Sequence, residues 1–279
     1  MSEAASGRQV ARSASVLAAL SLLSKPVNFL KDIIVAAVFG TSAAKDAFLV
    51  AWALPELFSG LVTEGLSGVL VPIFSDLVSK GDERRAWRIA SSVANAILAV
   101  LALAAVGVVL AAPALVRLLA PALPAETHAL AVRLTRLMAV SMIFMGLQGL
   151  ITSILNAHQR FYLPALAPLA LNVVICVVVL ATSGRLGIDS LALAMVAATL
   201  VSVLVQVPRL PWGRLRYSAG IDVRDEATRR FGRLVGPLML GTLILGSTGI
   251  INRVFASYLP AGSLAALDFA LRTTGPAYV

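Results

Sequence analysis

Long apolar runs constrain the fold of this 279-residue chain more than any other feature of its sequence. We count eight runs that could cross a membrane, since a hydrocarbon core about 30 Å thick needs about 20 largely apolar residues per helix. With 59% hydrophobic and 13% charged residues, the chain also lies outside the soluble range, where about 25% of residues are charged. The sequence therefore predicts an all-α, polytopic integral membrane protein. The predicted spans are approximately 13–39, 47–75, 87–112, 129–155, 161–183, 186–208, 231–255 and 261–279.

The connection after the third run is short and interrupted. Residues 113–124 contain Pro113 and Pro121 and are too few to cross the bilayer. We interpret this stretch as an interfacial connection.

Basic residues are concentrated in alternate connections, which predicts the orientation. Fourteen of the 23 Lys and Arg lie at the N-terminus and in the connections 76–88, 156–160 and 209–233, against three to five on the opposite side. Cytoplasmic loops carry this excess of Lys and Arg. The pattern predicts an inner-membrane protein with a cytoplasmic N-terminus, and it explains the net charge of +9 without a nucleic-acid partner.

Several charged residues fall inside the predicted spans, where each central charge costs roughly 2.5 to 3.5 kcal/mol. These residues must pair, snorkel to the interface or line a polar cavity. They are Lys25, Lys31, Asp32, Glu56, Glu64, Asp268 and Arg272.

Helical spacing separates some of these roles. Lys25 and Asp32 share one face of the first span, whereas Lys31 points about 100° away and either snorkels or lines the cavity. Glu56 is either a salt-bridge partner of Lys25 or Lys31, or a protonatable coupling group. Asp268 lies four residues before Arg272, so this pair can form within its own helix.

The chain also contains a weak internal repeat. Residues 42–48 and 263–270 are similar, and each segment follows an apolar helix that ends in a polar pair, Lys31-Asp32 or Asn252-Arg253. Many secondary transporters are built from such repeated lobes.

The same residues resemble a known family. The segment 31–58, with Glu64-Gly65 and the Val-Pro-Ile-Phe of 71–74, resembles the first two helices of the MurJ/MviN lipid II flippases. The resemblance continues through Ile-Leu-Asn-Ala-His-Gln-Arg-Phe at 154–161 and Asn-Arg-Val-Phe-Ala-Ser-Tyr-Leu-Pro at 252–260. It covers essentially the whole chain.

The resemblance implies the multidrug/oligosaccharidyl-lipid/polysaccharide exporter fold, a MurJ/MATE-like arrangement of two six-helix lobes around a cationic cavity. It divides the chain into a complete N-terminal lobe (1–208), a basic cytoplasmic loop (209–230) and the first two helices of a C-terminal lobe (231–279). Because family members have twelve or fourteen helices, we expect either a fragment of a longer gene or a half-transporter completed by a second chain.

The resemblance also implies a function, the translocation of lipid-linked sugar diphosphates across the inner membrane by alternating access. Its substrate would be the undecaprenyl-diphosphate precursor of peptidoglycan, bound in contact with membrane lipids and without a cofactor. By matching position, Lys25, Lys31 and Arg272 are the implied cavity cations. Asp46 and Glu64 match acidic positions with implied roles in helix pairing and gating.

Departures from the family pattern leave alternatives open. Ser59 and Gly60 stand where the family has a pair of arginines, and Glu56 stands where an uncharged residue is common. The chain could instead carry another lipid-linked oligosaccharide, be an inactive truncated copy, or exchange small cations through Asp32, Glu56 and Glu64. The sign of charge in the cavity would discriminate between an anionic and a cationic substrate.

The sequence gives no support for an enzyme. It has no glycine-rich phosphate loop of the Walker type, and His128 and His158 fall on opposite sides of the predicted membrane. We therefore predict a transporter without a metal or cofactor.

Overall fold

The computed structural model describes residues 2–210, 218, 220 and 226–274, and within that part all regular structure is helical. A π-helical turn, Leu66–Leu70, joins the second and third helices, and a 3-10 turn, Val207–Arg209, follows the eighth. The α-helices are α1 (Ser2–Phe39), α2 (Ala43–Gly65), α3 (Val71–Ser79), α4 (Glu83–Leu119), α5 (Ala125–Met138), α6 (Ser141–Ala157), α7 (Tyr162–Leu186), α8 (Asp189–Gln206), α9 (Glu226–Ala256) and α10 (Ser263–Thr274).

Each predicted span corresponds to one helix or to a joined pair of helices. Helix α2 continues through the π-helical turn into α3, and α5 and α6 form one span bent by 40°. By length and composition alone, three described helices could cross a membrane, and the bent pair makes a fourth. They are Arg84–Leu119, Tyr162–Leu186 and Asp189–Gln206.

Two predicted connections between helices differ from the structure. Helix α4 continues through Pro113 to Leu119, so only residues 120–124 connect it to α5. A proline is tolerated inside a membrane helix because neighbouring groups satisfy the backbone carbonyl that it leaves unpaired. Helix α9 begins at Glu226, inside the stretch 209–230 that was predicted to be a loop.

Helix α2 is the central helix of the bundle. It packs against α5, α6, α9 and α10, and Ala47, Val50 and Ala51 in its first half are completely buried. Small side chains let neighbouring helices approach closely. This position places the polar residues at both ends of that segment, Asp46 and Glu56, at contacts with α9 and α10.

Helix α1 packs chiefly along α7, and α7 pairs with α8 along most of its length. The turn of α1 that carries Asp32 therefore reaches α10 through long side chains rather than through close backbone packing.

An aromatic cluster stabilises the end of the bundle where α3 meets α4. Phe74 and Trp87 pack edge to face with ring centroids 5.5 Å apart, and the ring of His158 lies 5.3 Å from that of Phe74. His158 Nδ1 lies 2.9 Å from the carbonyl oxygen of Ile154. These contacts give His158 a packing role.

Candidate functional site

Four of the predicted site residues form one charged network between α1 and α10, which we call the polar cluster: Lys31, Asp32, Asp268 and Arg272. Asp32 Oδ1 lies 3.2 Å from Lys31 Nζ and 3.6 Å from an Nη atom of Arg272. Arg272 Nε donates to Asp268 Oδ2 at 3.0 Å, which confirms the pair predicted from helical spacing.

The structure places Lys31 in the polar cluster, outside the lining of the larger cavity described below. Its ammonium donates to Asn28 Oδ1 at 2.8 Å and pairs with Asp32, and its side chain is only 13% exposed. Lys31 therefore does not snorkel to an interface. Lys25 lies six positions earlier on α1 with an exposed side chain.

Glu56 has a partner that the sequence did not indicate. Its Oε2 accepts from Nη2 of Arg253 on α9 at 2.7 Å, so the predicted pairing with Lys25 or Lys31 is wrong. The physical reason is packing, because α9 lies directly against α2 whereas α1 lies along α7. The internal repeat was the one signal that could have found Arg253, since it matched Asn252-Arg253 to Lys31-Asp32.

The Glu56–Arg253 pair and Asp268 line a cavity of about 400 Å³ between α2, α9 and α10. The three cations that the resemblance implied for a cavity, Lys25, Lys31 and Arg272, are not part of its lining. Glu56, Asn252, Arg253 and Asp268 are polar residues of its lining, and most of the remainder is leucine and glycine. Asp268 is also the partner of Arg272. Both lining carboxylates are therefore neutralised by an arginine, and Glu56 does not give the cavity a net negative charge.

The start of α2 holds the start of α10. The Asp46 carboxylate accepts hydrogen bonds from the backbone N–H groups of Gly262 and Ala265, the latter at 2.8 Å. The first N–H groups of a helix have no partner within the helix, and a carboxylate satisfies them. Asp46 thus caps a helix that lies 217 residues further along the chain, counted from Asp46 to the first residue of α10.

Lys45 supports the same contact. Its side chain is 3% exposed, and its ammonium lies 4.8 Å from the ring centroid of Phe48 and 5.7 Å from that of Phe269 on α10. Aromatic faces attract cations. The second predicted span began at residue 47, but α2 begins at Ala43 and includes Lys45.

A second pocket of about 270 Å³ lies beyond these contacts, beside Asp46, Pro124 and Tyr258. Leu264, which is buried, lines both this pocket and the larger cavity. The first turn of α10 therefore separates the two spaces. We call the contact made by Lys45, Asp46, Gly262, Leu264 and Ala265 the α2–α10 junction.

Glu64 belongs to the last turn of α2, but its side chain lies outside the described part of the structure. Among the described residues, no three His, Cys, Asp or Glu side chains are grouped so that they could hold a metal ion.

Comparison with known proteins identifies the family. The sequence model described as "Lipid II flippase MurJ" matches residues 35–275. The "Lipid II flippase MurJ" of Burkholderia cenocepacia is 27% identical over 270 residues, which are 94% of this chain and 52% of that protein. The chain thus spans about half the length of the relatives that it matches.

Solved structures support the same fold. "Lipid II flippase MurJ, inward closed conformation" superposes with a TM-score of 0.79 at 21% identity, covering 92% of this chain and 54% of that one. An inward-facing multidrug resistance MATE family transporter of the MOP superfamily gives a TM-score of 0.71 at 18% identity, covering 94% and 61%. These likenesses confirm the predicted MurJ/MATE-like fold of an integral membrane protein. Because the family model matches most of the sequence, the chain belongs to the MurJ lipid II flippase family.

Proposed function

We propose that this chain is a transporter, not an enzyme, and that it translocates lipid II, an undecaprenyl-diphosphate sugar, across the inner membrane. The observation that carries the proposal is the polar cluster, in which Lys31 and Arg272 come from helices at opposite ends of the sequence. Family membership supplies the substrate class, since the Burkholderia relative is named a lipid II flippase.

The polar cluster suits a diphosphate headgroup. Lys31 and Arg272 converge on the same oxygen of Asp32, so an anionic oxygen already occupies a point that both cations reach. A phosphate oxygen accepts the same charge-assisted hydrogen bonds as a carboxylate. Lys25, exposed on the same helix, would add a third cation, while the polyprenyl tail stays in lipid.

The α2–α10 junction suits a gate. Alternating access requires that one end of the cavity is closed while the other is open, and Leu264 closes one end here. We assign Asp46 to holding that gate and Glu64 to the same gating function. The gate then lies between the N-terminal lobe (1–208) and the helices of the C-terminal lobe (231–279). With a cytoplasmic N-terminus, α1 crosses the membrane once before α2 begins, so the closed end faces outward.

An antiporter of small cations is disfavoured by the same geometry. Such a transporter needs a carboxylate that a cation or proton can occupy. In the described part of the chain, Asp32 pairs with Lys31 and Arg272, Glu56 pairs with Arg253, and Asp268 pairs with Arg272.

The test is complementation of a bacterium depleted of its own lipid II flippase. The gene is expressed from its start to its own stop codon, and growth and surface-accessible lipid II are followed. We expect rescue, and a membrane-inserted product that leaves lipid II on the inner side would contradict the proposal.

Variants connect rescue to the polar cluster. We expect Lys31→Ala and Arg272→Ala each to lower the flipping rate about tenfold or more, since a charge-assisted hydrogen bond is worth about 1.5 to 3 kcal/mol. Arg133→Gln is the matched control. Arg133 pairs with Asp189 at a distance of 2.8 Å, and neither residue lines the cavity. Equal losses in all three variants would count against a role in binding.

A further inference from the structure

Arg253 lines the cavity of about 400 Å³, whereas Lys31 and Arg272 of the polar cluster do not. Its side chain is only 19% exposed, whereas the side chain of its partner Glu56 is 53% exposed. The cation is therefore held in the wall between α2 and α9, and the carboxylate lies on the open side. Of the two groups, Glu56 is the one with room to move away.

A glycine leaves space beside this guanidinium. A Cβ atom at Gly249 would lie 3.2 Å from Nη1 of Arg253, which is tighter than nine in ten real Cβ contacts. The bond to Glu56 runs through the other terminal nitrogen, Nη2. Gly249 and Arg253 both line the cavity of about 400 Å³, so the Nη1 side of the Arg253 guanidinium borders that space.

We propose that Arg253 is a further diphosphate-binding residue, and that Glu56 occupies its guanidinium until a diphosphate displaces the carboxylate. The inference rests on the proposed function and adds a binding residue to it. Carboxylates and phosphates are bound by the same planar fork, which makes Glu56 a built-in competitor for the headgroup. A diphosphate carries more negative charge than one carboxylate, and the freed Glu56 returns to water in the cavity.

The two possible roles of Glu56, as a competitor of the ligand or as a structural partner of Arg253, predict opposite effects of Glu56→Gln on diphosphate affinity. If Glu56 competes with the ligand, then Glu56→Gln should tighten diphosphate binding about threefold to tenfold, while Arg253→Gln should weaken it about tenfold or more. If the ion pair only joins α2 to α9, both variants should weaken binding together. Arg253→Lys should retain part of the affinity, because a lysine keeps the charge and loses the fork.

The experiment uses the full chain in lipid nanodiscs, with farnesyl diphosphate as probe and farnesyl phosphate and farnesol as comparison ligands. Dissociation constants are measured by microscale thermophoresis, and thermal unfolding is measured on the same samples. Arg133→Gln and Asp189→Asn provide the matched control, because they break an ion pair of similar length that does not line the cavity.

Opposite signs for Glu56→Gln and Arg253→Gln, with unchanged binding in both controls, support the inference. Weakening in both cavity variants, or an Arg253→Gln variant that binds farnesyl diphosphate like the unaltered chain, overturns it. Where Arg253→Gln does not fold, Arg253→Lys replaces it. Tighter binding by Glu56→Gln with weaker binding by Arg253→Lys then supports the inference, and weaker binding by both overturns it. Failure of the unaltered chain to bind farnesyl diphosphate overturns the proposed function itself, which is a distinct result.

Discussion

Gly262 shows how one backbone position can determine whether two distant segments fit together. Its φ is +92°, a conformation that favours glycine, and a Cβ atom there would collide with the backbone carbonyl of Thr41. Its N–H group donates to Asp46 in the same place. The turn before α10 and the turn before α2 can therefore touch only because residue 262 has no side chain.

We expect Gly262→Ala to open the α2–α10 junction. The readout is thiol labelling of Leu264→Cys in a Cys176→Ser background, which is simple because the chain contains one cysteine. Leu264 is buried in the closed junction, so its labelling should accelerate when the turn moves away.

Gly187→Ala is the control for backbone strain alone. Gly187 also has a positive φ, +53°, but a Cβ atom there would meet nothing within 4 Å. It should lower stability by about 1 kcal/mol without changing the labelling of residue 264. Equal labelling in the two glycine variants would contradict this account of Gly262.

Residue partners were predictable only where they are close in sequence. The Asp268–Arg272 pair follows from a spacing of four on one helix. The Glu56–Arg253 pair joins residues 197 positions apart, so it depends on which helices pack together. Spacing within α1 placed Lys25 and Asp32 on one face, but it could not show that Arg272 would reach Asp32.

At the scale of the element, α10 depends on α2 for its position. It has 12 residues, a length at which an isolated helix is marginal. Asp46 accepts from the N–H group of Ala265 in its first turn and from that of Gly262 just before it. Lys45 contacts the ring of Phe269 one turn further on. Both contacts come from the first turn of α2, so the two helix starts behave as one unit.

Removing the cap should loosen this unit. We expect Asp46→Ala to cost about 1 kcal/mol and to raise the labelling of Leu264→Cys about fivefold. Asp82→Ala is the matched control, since Asp82 caps the start of α4 by accepting from the Arg85 N–H at 3.2 Å, far along the chain from the junction. We expect Asp82→Ala to lower stability by a similar amount and to leave the labelling of Leu264→Cys unchanged. Faster labelling in both variants would contradict a specific role for Asp46.

The order of helices followed from the apolar runs, but several boundaries did not. Hydropathy continues past Pro113, and whether a proline ends a helix depends on neighbours that the sequence does not show. The π-helical turn at Leu66–Leu70 contains Ser67 and Gly68 but lies inside a continuous apolar run, so the sequence did not show the change of helical winding between α2 and α3. Tertiary packing decides both features.

At the scale of the whole molecule, ion pairs join the two ends of the sequence. The helices α1 and α2 contribute Asp32 and Glu56, and α9 and α10 contribute Arg253 and Arg272. The Asp32–Arg272 and Glu56–Arg253 pairs therefore each join one part of the chain to the other. A movement that separates these parts must break both pairs, whereas a bound diphosphate could replace the carboxylates and leave the arginines neutralised.

A cytoplasmic N-terminus determines which end of α4 faces the outside of the cell. Helix α4 has 37 residues and is about 55 Å long at 1.5 Å per residue, so its two ends lie on opposite sides of the membrane. In a Cys176→Ser background, we expect Lys80→Cys, before α4, to react with a membrane-impermeant thiol reagent only after spheroplasts are permeabilised. Ala122→Cys, after α4, should react in intact spheroplasts, because the basic residues beside Lys80 keep that connection in the cytoplasm. Both positions are exposed, so burial does not explain a difference between them. The reverse pattern would invert the topology and place the α2–α10 junction on the cytoplasmic side, where a closed junction would block entry of the substrate rather than its release.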